Sequence, residues 1–190
     1  MILPIRAFGD AVLRKQCQEI SKDYPDLKEL IENMFDTMNA AHGIGLAAPQ
    51  VGLDIRLFIA DLSPLADDED YADIAHELKD FKKVFINARI LEESGQEWKF
   101  NEGCLSIPNV REDVKRKETI VIEYYDEDFV KHTDTFSDMR ARVIQHEYDH
   151  IEGILFTDHL SSLKKKLVKG RLMKITQGDV AVNYKMRFPK

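Results

Sequence analysis

Leu27, Leu30, Ile31, Met34 and Met38 recur at helical spacing and predict an amphipathic helix over residues 25–41. Pro25 suits its first turn, and Gly43 and Gly45 end it. The run "IRLFIA" at 55–60 reads as a strand. Residues 61–80 are acidic and predict a mostly exposed surface insertion with a short helix at its end. Segments 83–90, 96–100 and 119–125 read as further strands; "TIVIEYY" is β-branched and aromatic, and "DEDF" after it signals a turn. A second long helix is predicted over 136–152, with Thr135 and Asp138 as a capping box and Gly153 at the exit. The last helix is predicted over 159–174, basic outside and apolar at Leu160, Leu163, Leu167 and Leu172. There are no internal repeats. Helical patterns flank a run of strands without βαβ alternation, which predicts an α+β fold.

With 190 residues, 44% of them hydrophobic, the chain suits one domain with a sizeable core. It has no long uncharged apolar run, so no membrane span is expected. The start, "MILPIRAFGD", lacks the basic-then-apolar order of a secretory signal. Two cysteines, Cys17 and Cys104, fit a reducing cytoplasm better than a disulfide framework. The net charge of −7 is unevenly spread: residues 159–190 hold nine Lys/Arg and one acidic residue, Asp179. A basic tail on an acidic body suits docking on an anionic surface such as RNA, or forms a solvated helix face.

The stretch "QHEYDHIEG" carries the first candidate chemistry. His146 and His150 are four apart, which on a helix places their Cβ atoms about 5–6 Å apart on one face. Two such histidines can hold a metal ion. Val143 and Met139 continue the same stripe as an apolar wall. Glu147 lies about 100° round the helix from His146. It is placed to take a proton from metal-bound water and pass it to a leaving nitrogen; the metal makes hydroxide available near neutrality. A catalytic metal of this type commonly has three protein ligands. Phe156 occupies the position where one branch of zinc peptidases has its third histidine. Asp158 and His159, just downstream, remain open as ligands by spacing.

Cys104, in "NEGCLSIP", can be a third metal ligand, a nucleophile or a small buried hydrophobe. "GIGLAAPQ" at 43–50 resembles a dinucleotide fingerprint, but no strand precedes it and Pro49 and Gly52 block a helix after it. Its small residues instead permit close backbone approach to a ligand. Gln50 stands at the end of the run as a donor or as a plain loop amide.

Taken in order, "GIGLAAPQ", "EGCLS" and "QHEYDH" resemble the three motifs of the peptide deformylase family, across about residues 1–175. The resemblance implies small antiparallel sheets packed around a central helix bearing His–Glu–x–x–His, plus a C-terminal helix. It implies a single catalytic domain over 1–175, with 61–80 as the acidic insertion and 176–190 as a basic extension. Cys104, His146 and His150 become the metal ligands. The ion is expected to be ferrous iron, with nickel, cobalt or zinc able to replace it. The substrates become N-formyl-methionyl peptides, hydrolysed to formate and a free amino terminus. Glu147 is then the general base and acid. Gln50 and the Leu105 backbone N–H stabilise the charge growing on the formyl oxygen, each contributing about 3–4 kcal/mol. Met139 and Val143 line the methionine pocket or are plain core, and the backbone of Ile44, Gly45 and Gly103 pairs with the peptide. Glu102 and Ser106 are assigned supporting roles. The basic C-terminal helix becomes a candidate ribosome contact; neither a membrane nor DNA is an expected partner.

Overall fold

The structure, a computed structural model, describes residues 1–189. In chain order its regular elements are β1 (Ile5–Arg6), α1 (Leu27–Ala40), β2 (Gly45–Ala47), β3 (Leu57–Asp61), α2 (Ala75–Leu78), β4 (Lys82–Cys104), β5 (Ile107–Tyr125), β6 (Lys131–Ser137), α3 (Asp138–Ile151), α4 (Ser162–Thr176) and β7 (Met186–Arg187). The α+β reading holds. Strands β2 to β6 form one five-stranded antiparallel sheet in sequence order, while β1 and β7, from the two ends of the chain, pair in parallel.

The largest difference from the sequence pattern is the β4–β5 hairpin. The separate strands expected at 83–90 and 96–100 are parts of one 23-residue strand, and β5 begins well before position 119. The register shifts near Asn87, Leu91 and Gly95 let so long a ribbon bend. Asn87, at φ 52°, is held by two hydrogen bonds with the backbone of Ile20, at 2.9 and 2.8 Å. Charged residues such as Lys115 and Lys117 alternate with inward Val114 and Arg116, so the segment lacks an apolar run. The hairpin closes with Cys104 opposite Ile107, leaving Leu105 and Ser106 as its turn.

Helix α3 packs its buried face, including Met139, Val143, Ile144 and Ile151, into the core formed with Phe58, Phe85 and Tyr124. The expected capping box is absent. Strand β6 continues through Ser137, pairing Thr135 with Val121, and Asp138 itself accepts the Arg140 N–H at 3.1 Å. Gly153, at φ 74°, sits just past the helix as expected, with Arg14 backbone where a Cβ would stand. α1 starts at Leu27, two residues after Pro25, and stops at Ala40; Gly45 belongs to a strand rather than a helix end.

The face expected of the last helix is also corrected. Leu163 and Leu167 are 68% and 67% exposed, whereas Val168 and Ile175 are buried. These two are seven apart, two turns, and with Leu172 seat α4 against Val110 and Val114 of β5. Leu160 is buried but precedes the helix. Residues 61–80 carry an exposed acidic stretch at 67–70, yet Leu62 and Leu78 are fully buried at its ends.

Candidate metal centre and active site

Cys104 is carried at the tip of the β4–β5 hairpin, and His146 and His150 stand one turn apart on α3. Folding brings the three together: their ligand atoms all lie within 4.8 Å of one another, with Cys104 Sγ 3.3 Å from His150 Nε2. Among the described residues no fourth side chain joins the group. His159 is elsewhere, with Nε2 2.8 Å from Asp149 Oδ2, and Asp158 pairs with Arg14, so neither downstream candidate completes the centre. Phe156 is buried with its ring stacked at 6.2 Å on His146.

The electrostatics support cation binding. Burial works against a Cys104 thiolate, but the charge of His150 and hydrogen bonds from both histidines outweigh it and hold the thiol down to about 5. Burial likewise works against charge on His146, yet its hydrogen bonds to Cys104 and Glu102 raise its pKa well above the ordinary value. Glu102 accepts from His146 Nδ1 at 2.9 Å, which leaves Nε2 for an ion. Despite its burial, Glu102 is held well below the usual carboxylate range by His146 and Arg116.

Two arginines of this network were not singled out by the sequence reading. Arg116 binds Glu102 through Nε at 2.7 Å and Nη2 at 3.0 Å, and reaches Asp149 through Nη1 at 2.7 Å. Arg142, 1% exposed, donates to Glu102 at 2.9 Å and lies 4.2 Å over the Trp98 ring. Arg142 is four residues before His146 on α3, a spacing that signals a shared face. Nothing local marks Arg116, whose role depends on the strand register.

Glu147 is 4% exposed, and its Oε2 has no hydrogen-bond partner among the described residues. Burial pushes its carboxyl up to about 7 against the opposing pull of the two histidines. A Cβ at Gly45 would overlap this carboxylate, so glycine is required there for close approach. Gln50 is 2% exposed, not a loose amide. Its Oε1 accepts from Ala47 N at 2.8 Å, which turns Nε2 toward Ser106 Oγ at 3.3 Å and Cys104 Sγ at 3.5 Å.

These groups open onto a cleft of about 760 Å³ that includes Ile44, Gly45, Gly103, Leu105, Met139 and Val143 in its walls. Met139 and Val143 are at once core and wall, being 4% and 5% exposed. Strand β2 is an edge of the sheet, and the Ile44 carbonyl accepts the Asp61 N–H at 2.9 Å. By antiparallel alternation the Gly45 N–H and C=O therefore point away from β3, along the free edge. Gly103 pairs with Arg111 of β5, whose guanidinium occupies the space a Cβ would need. The cleft also receives Val182, Asn183 and Tyr184 from the end of the chain, a contribution absent from the sequence reading.

The model of the polypeptide deformylase family matches residues 2–166. The chain belongs to this family. It is 62% identical over 190 residues to the peptide deformylase of Christiangramia forsetii, covering 100% of this chain and 97% of that one. The peptide deformylase of Flavobacterium johnsoniae is 60% identical, with 99% and 96% covered. A crystal structure of a peptide deformylase from Legionella pneumophila superposes with a TM-score of 0.79 at 34% identity, covering 94% of this chain and 98% of that one. Peptide deformylases remove the N-terminal formyl group from nascent peptides and use a divalent metal; this chain is a metallohydrolase of that kind. The residues present fit such an ion. A low-pKa thiol and two imidazoles are donors for a borderline-soft cation, and the partnerless Glu147 Oε2 lies beside them.

Proposed function

We propose that Cys104, His146 and His150 hold one ferrous ion, replaceable by nickel, cobalt or zinc, and that this centre deformylates formyl-methionyl peptides with Glu147 as general base and acid. The convergence of those three ligands beside a buried, partnerless carboxylate is the observation that carries the reading. When bound, the ion would act as a Lewis acid toward the formyl oxygen and bring the pKa of water toward about 7. Glu147 takes the proton of the attacking water and delivers it to the amine nitrogen as the formamide C–N bond breaks, releasing formate. A buried carboxyl one residue from His146 is placed for both transfers. Gln50 Nε2 and the Leu105 N–H donate to the formyl oxygen as charge grows there. The backbone of Ile44, Gly45 and Gly103 pairs with the extended peptide, while Met139 and Val143 receive the methionine side chain. The tight approach of Gly45 to Glu147 favours a formyl group, which has only hydrogen where an ordinary peptide carbonyl carries the rest of the chain.

We further propose residues 1–175 as the catalytic domain, 61–80 as its surface insertion and 176–190 as a basic extension, of which Lys190 lies outside the described residues. A ribosome contact through α4 is supported by exposed Lys165, Lys166, Lys169 and Arg171 beside exposed Leu163 and Leu167. A reducing cytoplasm suits the free thiols of Cys17 and Cys104; no helix among the described residues is long and apolar enough to cross a membrane.

The test is formate release from a formyl-methionyl dipeptide by protein purified without air, beside Glu147→Gln. The variant is expected to keep one metal ion per chain and lose about a thousandfold in kcat/KM. Turnover within about tenfold of the parent would remove Glu147 from the mechanism.

A further inference from the structure

The segment after α4 doubles back across the molecule, and the family match ends before it, at residue 166. Gly178, at φ 77°, turns the chain out of the helix. Asn109 then anchors the Ala181 carbonyl at 3.2 Å, and β7 pairs with β1 through Ile5 N–H to Lys185 O and Ala7 N–H to Arg187 O, both 2.9 Å. Between these anchors the Tyr184 hydroxyl donates to the Leu105 carbonyl at 2.7 Å, and Tyr184 itself forms part of the cleft wall.

Leu105 and Ser106 are the whole turn of the β4–β5 hairpin, immediately after the cysteine. Phe8 N–H, just past β1, donates to the Ser106 carbonyl at 2.8 Å, and Gln50 Nε2 donates to the Ser106 hydroxyl. Tyr184 engages the remaining carbonyl of the turn. Both peptide groups following the Cys104–Leu105 bond are thus held by residues flanking the strands at the two ends of the chain, Phe8 after β1 and Tyr184 before β7. A two-residue turn secured in this way cannot swing without breaking one of these bonds, so the Leu105 N–H stays fixed relative to Cys104.

We propose that Tyr184 is a positioning residue for deformylation, holding the hairpin turn so that the Leu105 N–H meets the formyl oxygen as charge develops. This rests on the reading of Leu105 as a donor to that oxygen. A donor engaged only in the transition state affects kcat and kcat/KM together, whereas a wall contact with bound peptide appears in KM. Tyr184→Phe keeps the ring in the wall and removes only the hydroxyl.

The experiment measures formate release from a formyl-methionyl dipeptide by the full-length metal-loaded protein, Tyr184→Phe, and a protein carrying the α-hydroxy acid of leucine at position 105, which replaces that N–H by an ester oxygen. Tyr184→Phe is expected to lower kcat about tenfold with KM and metal content unchanged and a melting temperature lower by no more than about 4 °C, the loss of one hydrogen bond. The ester protein is expected to lose about a hundredfold. If the ester protein loses activity but Tyr184→Phe stays within about twofold of the parent, the Tyr184 proposal is overturned and Leu105 stands. If the ester protein keeps its rate, the donor reading and the proposal fall together. A Tyr184→Phe loss accompanied by lower metal content, or by a melting temperature lower by more than about 10 °C, assigns the hydroxyl a structural role and also overturns the proposal.

Discussion

Glu102 carries no reacting atom in the proposed mechanism, yet it touches His146, Arg116 and Arg142 at once. Its carboxylate engages His146 Nδ1, which leaves Nε2 turned to the Cys104 and His150 group that could hold an ion, and it balances two guanidinium groups that burial has taken from water. Glu102→Gln removes that charge while keeping the shape. Metal affinity is expected to fall about 10–100-fold, as for other changes behind a ligating histidine. Leaving buried arginine charge uncompensated is expected to cost about 3 kcal/mol of stability. Chelator competition and urea unfolding of the metal-loaded protein check the two effects separately. Unchanged affinity would mean that His146 is oriented by its packing on Phe156 alone.

At the scale of elements, α4 has two distinct faces. Val168 is fully buried against β5, and Val168→Ala is expected to cost about 2 kcal/mol in urea unfolding. Leu163→Ser combined with Leu167→Ser is expected to change stability by no more than about 0.5 kcal/mol, because both side chains are exposed. The same double variant is expected to weaken co-sedimentation with ribosomes; full retention would count against docking through this face. The segment between α3 and α4 is tied to the start of the chain by Arg14 and Asp158, 2.5 Å apart. Partial burial disfavours the Asp158 carboxylate, but Arg14 and the Leu155 N–H outweigh this and depress its pKa. A depressed carboxyl stabilises the fold above its unfolded value of about 3.9, and the contribution is lost as pH falls through the lower folded value. Asp158→Asn is therefore expected to lower stability at pH 7 by at most about 1 kcal/mol, the pair being half exposed. The gap from the parent should narrow as pH falls below the unfolded value of about 3.9 in a melting-temperature series. A gap that persists there would assign the effect to the Leu155 hydrogen bond.

The whole molecule joins a partly exposed thiol to a cleft open to solvent. With ferrous iron bound there, both thiolate and metal are oxidisable, and activity is expected to decay in air or peroxide. The nickel form is expected to decay more slowly, followed as formate release against time of exposure. Equal decay of both forms would place the damage on the protein rather than on iron. The excess of Lys and Arg after residue 159 would make the proposed docking through α4 salt-dependent, since exposed charges are screened within about 8 Å at physiological ionic strength.

Local order along the chain was enough to specify the histidine helix, because four residues make slightly more than one turn whatever surrounds them. The same holds for the basic tail, for Gly153 at the helix exit and for the donor types of Cys104 and Gln50. The family motifs supplied the meaning of those residues. Packing decided the rest. The length of β4 and β5 depends on pairing between strands whose exposed faces are heavily charged, so no apolar run announces it. Which face of α4 is buried depends on the partner it meets, and Val168 rather than Leu163 or Leu167 met β5. Arg116 and Tyr184 join the centre only because strand register and the return of the C-terminal segment bring them there. Hydrogen bonds act over about 3 Å in space and carry no trace of a separation of 14 or 79 residues along the chain.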